Sequence, residues 1–202
     1  VEIAGWVNEA TDVGDRVWFA QEFGGNLYAQ ATAYNSGSVE EMWLITPVIN
    51  LDEMNDPRLK FMSAQAYWNH DGLEVLISTD FDGSDIIGAQ WEELNCNLAG
   101  EDDPNHAWIP SGIISLADYE GDAYIAFKYV GEDGVETTSY RLDDIEVYDG
   151  GSGIAGYNVY AGPCYGGAED MVFKGFTLDQ TFTDNTWGTA EAGVYKWAVE
   201  VV

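Results

Sequence analysis

Two acidic groups and one aromatic group in this sequence have residue types and spacing that could do chemistry. Asp143 and Asp144 lie inside Tyr140–Tyr148, which reads Tyr-Arg-Leu-Asp-Asp-Ile-Glu-Val-Tyr. Plain strand alternation puts Arg141, Asp143, Ile145 and Val147 on one face, with Leu142, Asp144, Glu146 and Tyr148 on the other. Asp143 would then share a face with two core-like side chains, and a buried carboxylate is costly unless it is paired or metal-bound. Arg141 offers one solution; calcium, which takes hard oxygen ligands, offers another. Asp80-Phe81-Asp82-Gly83-Ser84-Asp85 sets oxygen-bearing side chains at alternate positions around a glycine. That makes Asp80, Asp82 and Asp85 calcium candidates, although the terminal glutamate of an EF-hand loop is missing and an Asp-Gly turn explains the segment equally well. Glu101-Asp102-Asp103 before Pro104 reads as a solvated loop.

The aromatic group is Tyr67-Trp68-Asn69-His70-Asp71 together with Trp91 and Trp108. Aromatic faces stack on sugar rings while amide, carboxylate and imidazole groups supply hydrogen bonds. Trp68, Asn69, His70 and Trp108 are therefore the ligand-binding candidates. The competing reading is that Trp and Tyr simply fill a β-sandwich core.

Other chemistry finds little footing. There is no Gly-x-Ser-x-Gly elbow, His-Glu-x-x-His helix or phosphate-binding loop. His70 and His106 are the two histidines, which gives little for a catalytic triad. The expectation is a protein that is not an enzyme. With 36 Asp and Glu against 7 Lys and Arg, the net charge is −29. Such a field repels phosphate backbones and disfavours anionic membrane surfaces. Nucleic acid is thus excluded as a partner, and with no long apolar run there is no membrane insertion. Most of the acidity reads as solvation. Cys96 and Cys164 are too few and too far apart for a disulfide framework or a zinc site.

The elements that must position these groups are strands. Leu73–Ser78, Tyr124–Val130 and Tyr140–Tyr148 are β-branched, aromatic or alternating runs that end in Gly- and Asp-rich turns. Tyr28–Tyr34 alternates Tyr28, Gln30, Thr32 and Tyr34 against Ala29, Ala31 and Ala33. Helix is limited to single turns at Leu51–Asp56 and Leu116–Tyr119. Short strands without helical periodicity predict an all-β sandwich.

A Gly/Ser linker at residues 150–153 divides the chain into domains at 1–149 and 154–202. The first 150 residues hold 30 of the acidic and 5 of the basic side chains. Strands are expected in the tail at Gly156–Tyr160, Met171–Phe173, Thr181–Thr183 and Gly193–Val202. In the last of these Tyr195, Trp197, Val199 and Val201 form a core face. About 50 residues is thin for an independent sandwich. The chain reads as a mature or excised piece of a longer protein.

Gly5-Trp6, Gly25–Gln30, Trp43-Leu44-Ile45-Thr46-Pro47 through Leu51, Leu73–Asp80, Trp108, Ala126–Tyr129 and Arg141-Leu142-Asp143-Asp144-Ile145 follow one another in an order that resembles a known family. The resemblance is to the cleaved-adhesin or choice-of-anchor J jelly rolls of Bacteroidetes surface proteins, over roughly residues 1–149. It implies a jelly-roll β-sandwich, secretion or cell-surface location, and adhesion to a glycan or a host or matrix protein. It also implies structural calcium, with Glu2 and Asn26 joining Asp143 and Asp144 as ligands. Gly156–Tyr160 and Gly193–Trp197 resemble the second half of a fibronectin-III-like module whose opening strands are missing. That incompleteness keeps an alternative function open: a structural repeat or appendage subunit that pairs with neighbouring copies by strand exchange.

Overall fold

Leu-Glu-Val-Leu-Ile-Ser at 73–78 suits a pleated, largely buried surface, and it forms a strand over those same residues. Comparable runs build the rest of the chain in a computed structural model that describes residues 4–11, 14–151, 157–163, 171–177 and 195–201. Two compact units are present, Val1–Asp149 and Gly150–Val202.

In chain order, the described strands of the first unit begin with β1 (Val7–Ala10), β2 (Phe19–Phe23), β3 (Asn26–Ala31), β4 (Val39–Ile45) and β5 (Ile49–Asn50). After a 3-10 turn at Leu51–Glu53 come β6 (Pro57–Ala66), β7 (Leu73–Ser78), β8 (Glu92–Glu93), β9 (Ile109–Pro110), β10 (Ile114–Ser115), β11 (Asp122–Glu132) and β12 (Ser139–Asp149). Sheet I has the order β1-β4-β11-β7-β8, with β5 also on β11; sheet II has the order β10-β6-β12-β3-β2, with β9 also on β6. All of these pairings are antiparallel. The result is the all-β sandwich of jelly-roll type expected from the sequence.

The sandwich interior is filled by alternate residues from each sheet. Leu44, Val75, Ile77, Ile125 and Phe127 come from sheet I, and Ala31, Leu59, Phe61, Tyr140 and Leu142 from sheet II. Phe61 and Phe127 meet edge to face across the core, with centroids 5.2 Å apart, a geometry aromatic quadrupoles favour. Sheet I is also covered on its outer side, where Trp43, Ile45, Leu76 and Ala126 pack under Phe81, Ile86 and Trp91. Trp91 contacts Trp43 at 5.3 Å and Phe81 at 5.4 Å, and its indole N–H donates to the Ile86 carbonyl at 2.9 Å. This tryptophan, a candidate from the aromatic group, is half-buried against the outer side of sheet I.

Sheet II carries a correction to the expected face of Asp143. On β12, Asp143 pairs with Met62 but Glu146 pairs with Lys60, so Asp144 and Ile145 together face one residue of β6. Asp144 adopts φ +49°, the left-handed conformation that Asp tolerates better than most side chains. This β-bulge reverses the alternation partway along the strand. Tyr140 and Leu142 point inward before it, and Ile145 and Val147 pack on the core after it. Arg141 and Asp143 therefore face outward, and Asp143 does not share the face of Ile145 and Val147.

Among the described residues, the second unit is a three-stranded antiparallel sheet of β13 (Tyr157–Pro163), β14 (Val172–Thr177) and β15 (Tyr195–Val201), in the order β14-β13-β15. Val159 and Ala161 of its central strand are buried. Trp197 and Val199 on β15 are 47% and 61% exposed, so the face expected to be core is partly open on this flanking strand. The expected strand at Thr181–Thr183, the ligand candidate Glu2 and the thiol of Cys164 lie outside the described residues.

Candidate ligand-binding face

Sheet I is covered on both sides over much of its area, which leaves the outer face of sheet II as the more open β-surface of the first unit, exposed at Lys60 and Glu146, half-buried at Gln30 and Arg141, and covered at Tyr28, Ala64 and Ala66. Strand register fixes what this face presents. Arg141 lies opposite Gln30 on one side and Ala64 on the other, Asp143 opposite Met62, and Ser139 opposite Ala66. Tyr28 stands next to Gln30 on the same face of β3, and the Arg141 guanidinium lies over its ring, 5.1 Å from the centroid. Trp108 folds over the sheet from just before β9 and meets Tyr28 edge to face, with centroids 5.5 Å apart. The small Ala64 and Ala66, both fully buried, leave room for such a cover.

Arg141 donates from Nε to Gln30 Oε1 at 3.0 Å. Among the described residues its two terminal amino groups meet no acceptor. The other cations of this face differ, since Lys60 pairs with Glu146 at 2.9 Å and Arg58 pairs with Asp56. A planar guanidinium held from below by a ring and from the side by an amide offers its outer donors in a fixed geometry.

The Asn26 side chain donates to Asp143 Oδ2 at 2.8 Å, and the other Asp143 oxygen accepts the Asp144 N–H at 2.9 Å. Of the four expected calcium ligands, the structure puts the Asn26 and Asp143 side chains in contact, while Asp144 meets Asp143 through its backbone N–H; Asp143 and Asp144 line a pocket of about 460 Å³ beside the bulge. Their all-oxygen donor set has the hard-ligand chemistry calcium takes. As arranged, both Asp143 oxygens are engaged within the protein, and among the described residues no three His, Cys, Asp or Glu side chains converge to hold a metal ion.

Asp80, Asp82 and Asp85 are held apart by separate turn hydrogen bonds. Asp82 Oδ1 accepts from Ser84 N, Ser84 Oγ and Asp85 N; Asp80 Oδ1 accepts from Gln90 N and Ser78 Oγ; and Asp85 Oδ1 accepts from Gly88 N. These bonds keep Asp80 and Asp82 below the ordinary carboxylate value, with the backbone N–H of Gln90 and of Asp85 as the largest respective causes.

Trp68, Asn69 and His70 sit on the opposite side of sheet II from Trp108. Tyr140, which faces the core, donates to the His70 carbonyl at 3.3 Å, and the His70 ring packs on buried Tyr129 at 6.0 Å. Burial pushes the Tyr129 and Tyr140 phenols up to about 12. Asn69 acts as a staple. Its amide NH2 donates to Val135 O and Thr137 Oγ1, while its Oδ1 accepts from Thr137 N, Thr138 N and Thr138 Oγ1. His70 Nε2 lies 2.9 Å from Val130 O, and the Trp68 indole donates to Asp71 at 3.1 Å. The polar atoms of Asn69 and His70 are thereby spent on joining two loops. The four candidates do not form one platform, because neighbouring residues Tyr140 and Arg141 point to opposite faces of the same strand.

Sequence reasoning missed Tyr28, Gln30 and Arg141 as companions of Trp108. The alternation of Tyr28 with Gln30 was visible, but which face stays open depends on what covers sheet I.

No protein-family model and no curated protein sequence matches the chain. Similar solved structures include the K1 cleaved adhesin domain of Lys-gingipain from Porphyromonas gingivalis W83, at 17% identity and a TM-score of 0.47, covering 73% of this chain and 92% of that chain. Another is TmCBM61 in complex with β-1,4-galactotriose, at 13% identity and a TM-score of 0.45, covering 73% of this chain and 90% of that chain. A third is the family 11 carbohydrate-binding module from Clostridium thermocellum in complex with a β-1,3-1,4-mixed-linked tetrasaccharide, at 9% identity and a TM-score of 0.42, covering 73% and 91%. At such identities the likeness is one of fold.

Proposed function

We propose that this chain is a non-catalytic, extracellular ligand-binding module that holds a glycan on the outer face of sheet II. The observation that carries the reading is the assembly of Trp108, Tyr28, Gln30 and Arg141. An aromatic edge, a supported guanidinium with outward donors and a neighbouring amide are the groups that stack on sugar rings and hydrogen-bond their hydroxyls. The net charge of −29 directs the choice towards uncharged glycans. Secretion or surface display follows from the same reading, because polysaccharide ligands lie outside the cell. The test is a glycan array followed by calorimetric titration of its best hits, with Trp108→Ala and Arg141→Ala compared against the unaltered chain. Silence across the array, or hits unaffected by both substitutions, would sink it.

Calcium belongs to this proposal as a stabiliser at the Asn26–Asp143–Asp144 corner. There it would hold the β2–β3 hairpin to the bulge of β12. A host or matrix protein remains the alternative ligand class, to be read from a protein array in parallel.

One observation favours a second role. Val172, Trp197 and Val199 on the flanking strands of the tail sheet are about half exposed or more, and among the described residues β14 and β15 are its edge strands; edges with exposed apolar side chains invite pairing with another copy. Self-association of the full chain that vanishes on removing residues 154–202 would support it; a monomer at high concentration with calcium present would count against it.

A further inference from the structure

Tyr34, and Tyr67 of the aromatic group, are 62% and 72% exposed and line one pocket of about 430 Å³ with Thr137 and Ser139. Ser139 is two residues from Arg141 on the same outward side of β12, so the pocket continues the face about 7 Å along the strand. We propose that Tyr34 and Tyr67 form an aromatic clamp that holds one pyranose ring of a neutral glycan chain, with Thr137 and Ser139 as hydroxyl partners on its floor. The clamp rests on the glycan-binding reading and extends it to a second contact region and a ligand charge class.

What sets these tyrosines apart from ordinary exposed side chains is how firmly their backbones are held while their rings stay in solvent. Arg16 donates to the carbonyls of Thr32, Tyr34 and Asn35 at 3.2, 2.8 and 2.6 Å. Asp133 accepts from Asn35 N and Gly37 N at 2.8 and 3.0 Å, and Asn35 itself adopts φ +57°. On the other wall, Tyr67 takes φ +56°, a conformation that bulky side chains rarely adopt. The Asn105 side chain secures it by accepting the Tyr67 N–H at 2.8 Å, and the Tyr67 ring rests edge-on against His106, itself at φ +70°. Strain of this kind persists only where the surroundings over-determine it, and it concentrates at ligand clamps. Backbones held in this way, with the Tyr67 ring also seated against His106, reduce the freedom lost when a ligand arrives.

The lining sets the ligand class. Among the described residues it contains two phenols and two hydroxyls and no charged group, so these offer nothing to neutralise a carboxylate or sulfate, and the chain's own field opposes a polyanion. A flat ring with hydroxyls around its rim matches the pocket; an acidic sugar or a charged peptide does not.

The test titrates the full chain with neutral tetrasaccharides of gluco-, galacto-, manno- and xylo-configuration, by calorimetry and by NMR of the tyrosine ring signals. For the best binder, Tyr34→Ala and Tyr67→Ala should each weaken binding about ten-fold or more, while Tyr34→Phe and Tyr67→Phe, which keep the stacking face, should stay within about three-fold. Asn105→Ala, which leaves both rings in place but releases the Tyr67 backbone, should weaken binding by an intermediate factor. Unchanged affinity in the Tyr34→Ala/Tyr67→Ala double variant, alongside loss in Trp108→Ala, would overturn the clamp and leave the wider glycan reading intact. No binding of any neutral oligosaccharide by the unaltered chain would overturn both. Tyrosine-dependent binding of polygalacturonate or of a peptide, in preference to the neutral set, would overturn the assigned ligand class.

Discussion

Trp108 meets Tyr28 edge to face at 5.5 Å, joining a loop to the middle of sheet II and leaving Tyr28 only 6% exposed. Trp108→Ala should uncover Tyr28 and remove one wall of the ligand face. The expected outcome is at least a ten-fold loss of glycan affinity, about 1.4 kcal/mol, with native circular dichroism retained. A comparable loss in Arg141→Lys would follow from the planar fork that lysine lacks.

The bulge on β12 gives a sharp pair of stability outcomes. Asp144→Gly should be neutral or stabilising by up to about 1 kcal/mol, because glycine enters the left-handed region without steric cost. Deleting Asp144 removes the extra residue and leaves Ile145 opposite Phe61, with Ile145 and Val147 still facing the core, so it should cost no more than about 1 kcal/mol. Urea denaturation of the two variants reads both outcomes. A deletion that costs as much as exposing Ile145 and Val147, several kcal/mol, would contradict the register described.

Alkaline pH should unfold the first unit through Tyr129 and Tyr140. Burial raises both phenols from 10.0 to about 12, so the unfolded chain releases these protons first. Their stabilisation is complete below about pH 10 and is lost as pH rises through 12, roughly 2–3 kcal/mol for each. Tyr129→Phe should flatten this limb while costing about 1–3 kcal/mol at neutral pH, since the Tyr129 hydroxyl accepts from Ala33 N and donates to Thr138 O, each at 3.0 Å. On the acid side the sign reverses. Asp80 and Asp82 are held below 3.8, so what they contribute is present at neutral pH and lost as pH falls through their lowered values. Thermal midpoints measured across pH test both limbs.

Chelation should lower the thermal midpoint, and Ca²⁺ should restore it where Mg²⁺ does not. Asp143→Asn should abolish the response. A midpoint indifferent to exhaustive chelation would remove calcium from the proposal.

Much of the fold was legible where local pattern and burial agree. Leu73–Ser78 matches β7, and Ala29, Ala31 and Ala33 take the core side of their segment as the alternation implied. The site was less legible, because its decisive features are non-local. Nothing near Trp91 in the sequence states that Trp43 and Phe81 will enclose it, and nothing near Asn69 announces the Thr137–Thr138 backbone it staples. Trp68 and Trp108 look alike as residues; they part only when β12 sends Tyr140 inward and Arg141 outward. Tyr67 gives no hint in its neighbours that its backbone will be turned through positive φ.

Asp144 has one more consequence. A strand is a two-state code in which odd and even positions spell inside and outside, and a single extra residue changes its parity. Upstream of Asp144 that parity gives the ligand face an arginine and a carboxylate; downstream it returns isoleucine and valine to the interior. A related sequence without the extra residue would keep isoleucine and valine inside while shifting their odd or even position by one, so comparisons across the bulge should be made by facing rather than by position.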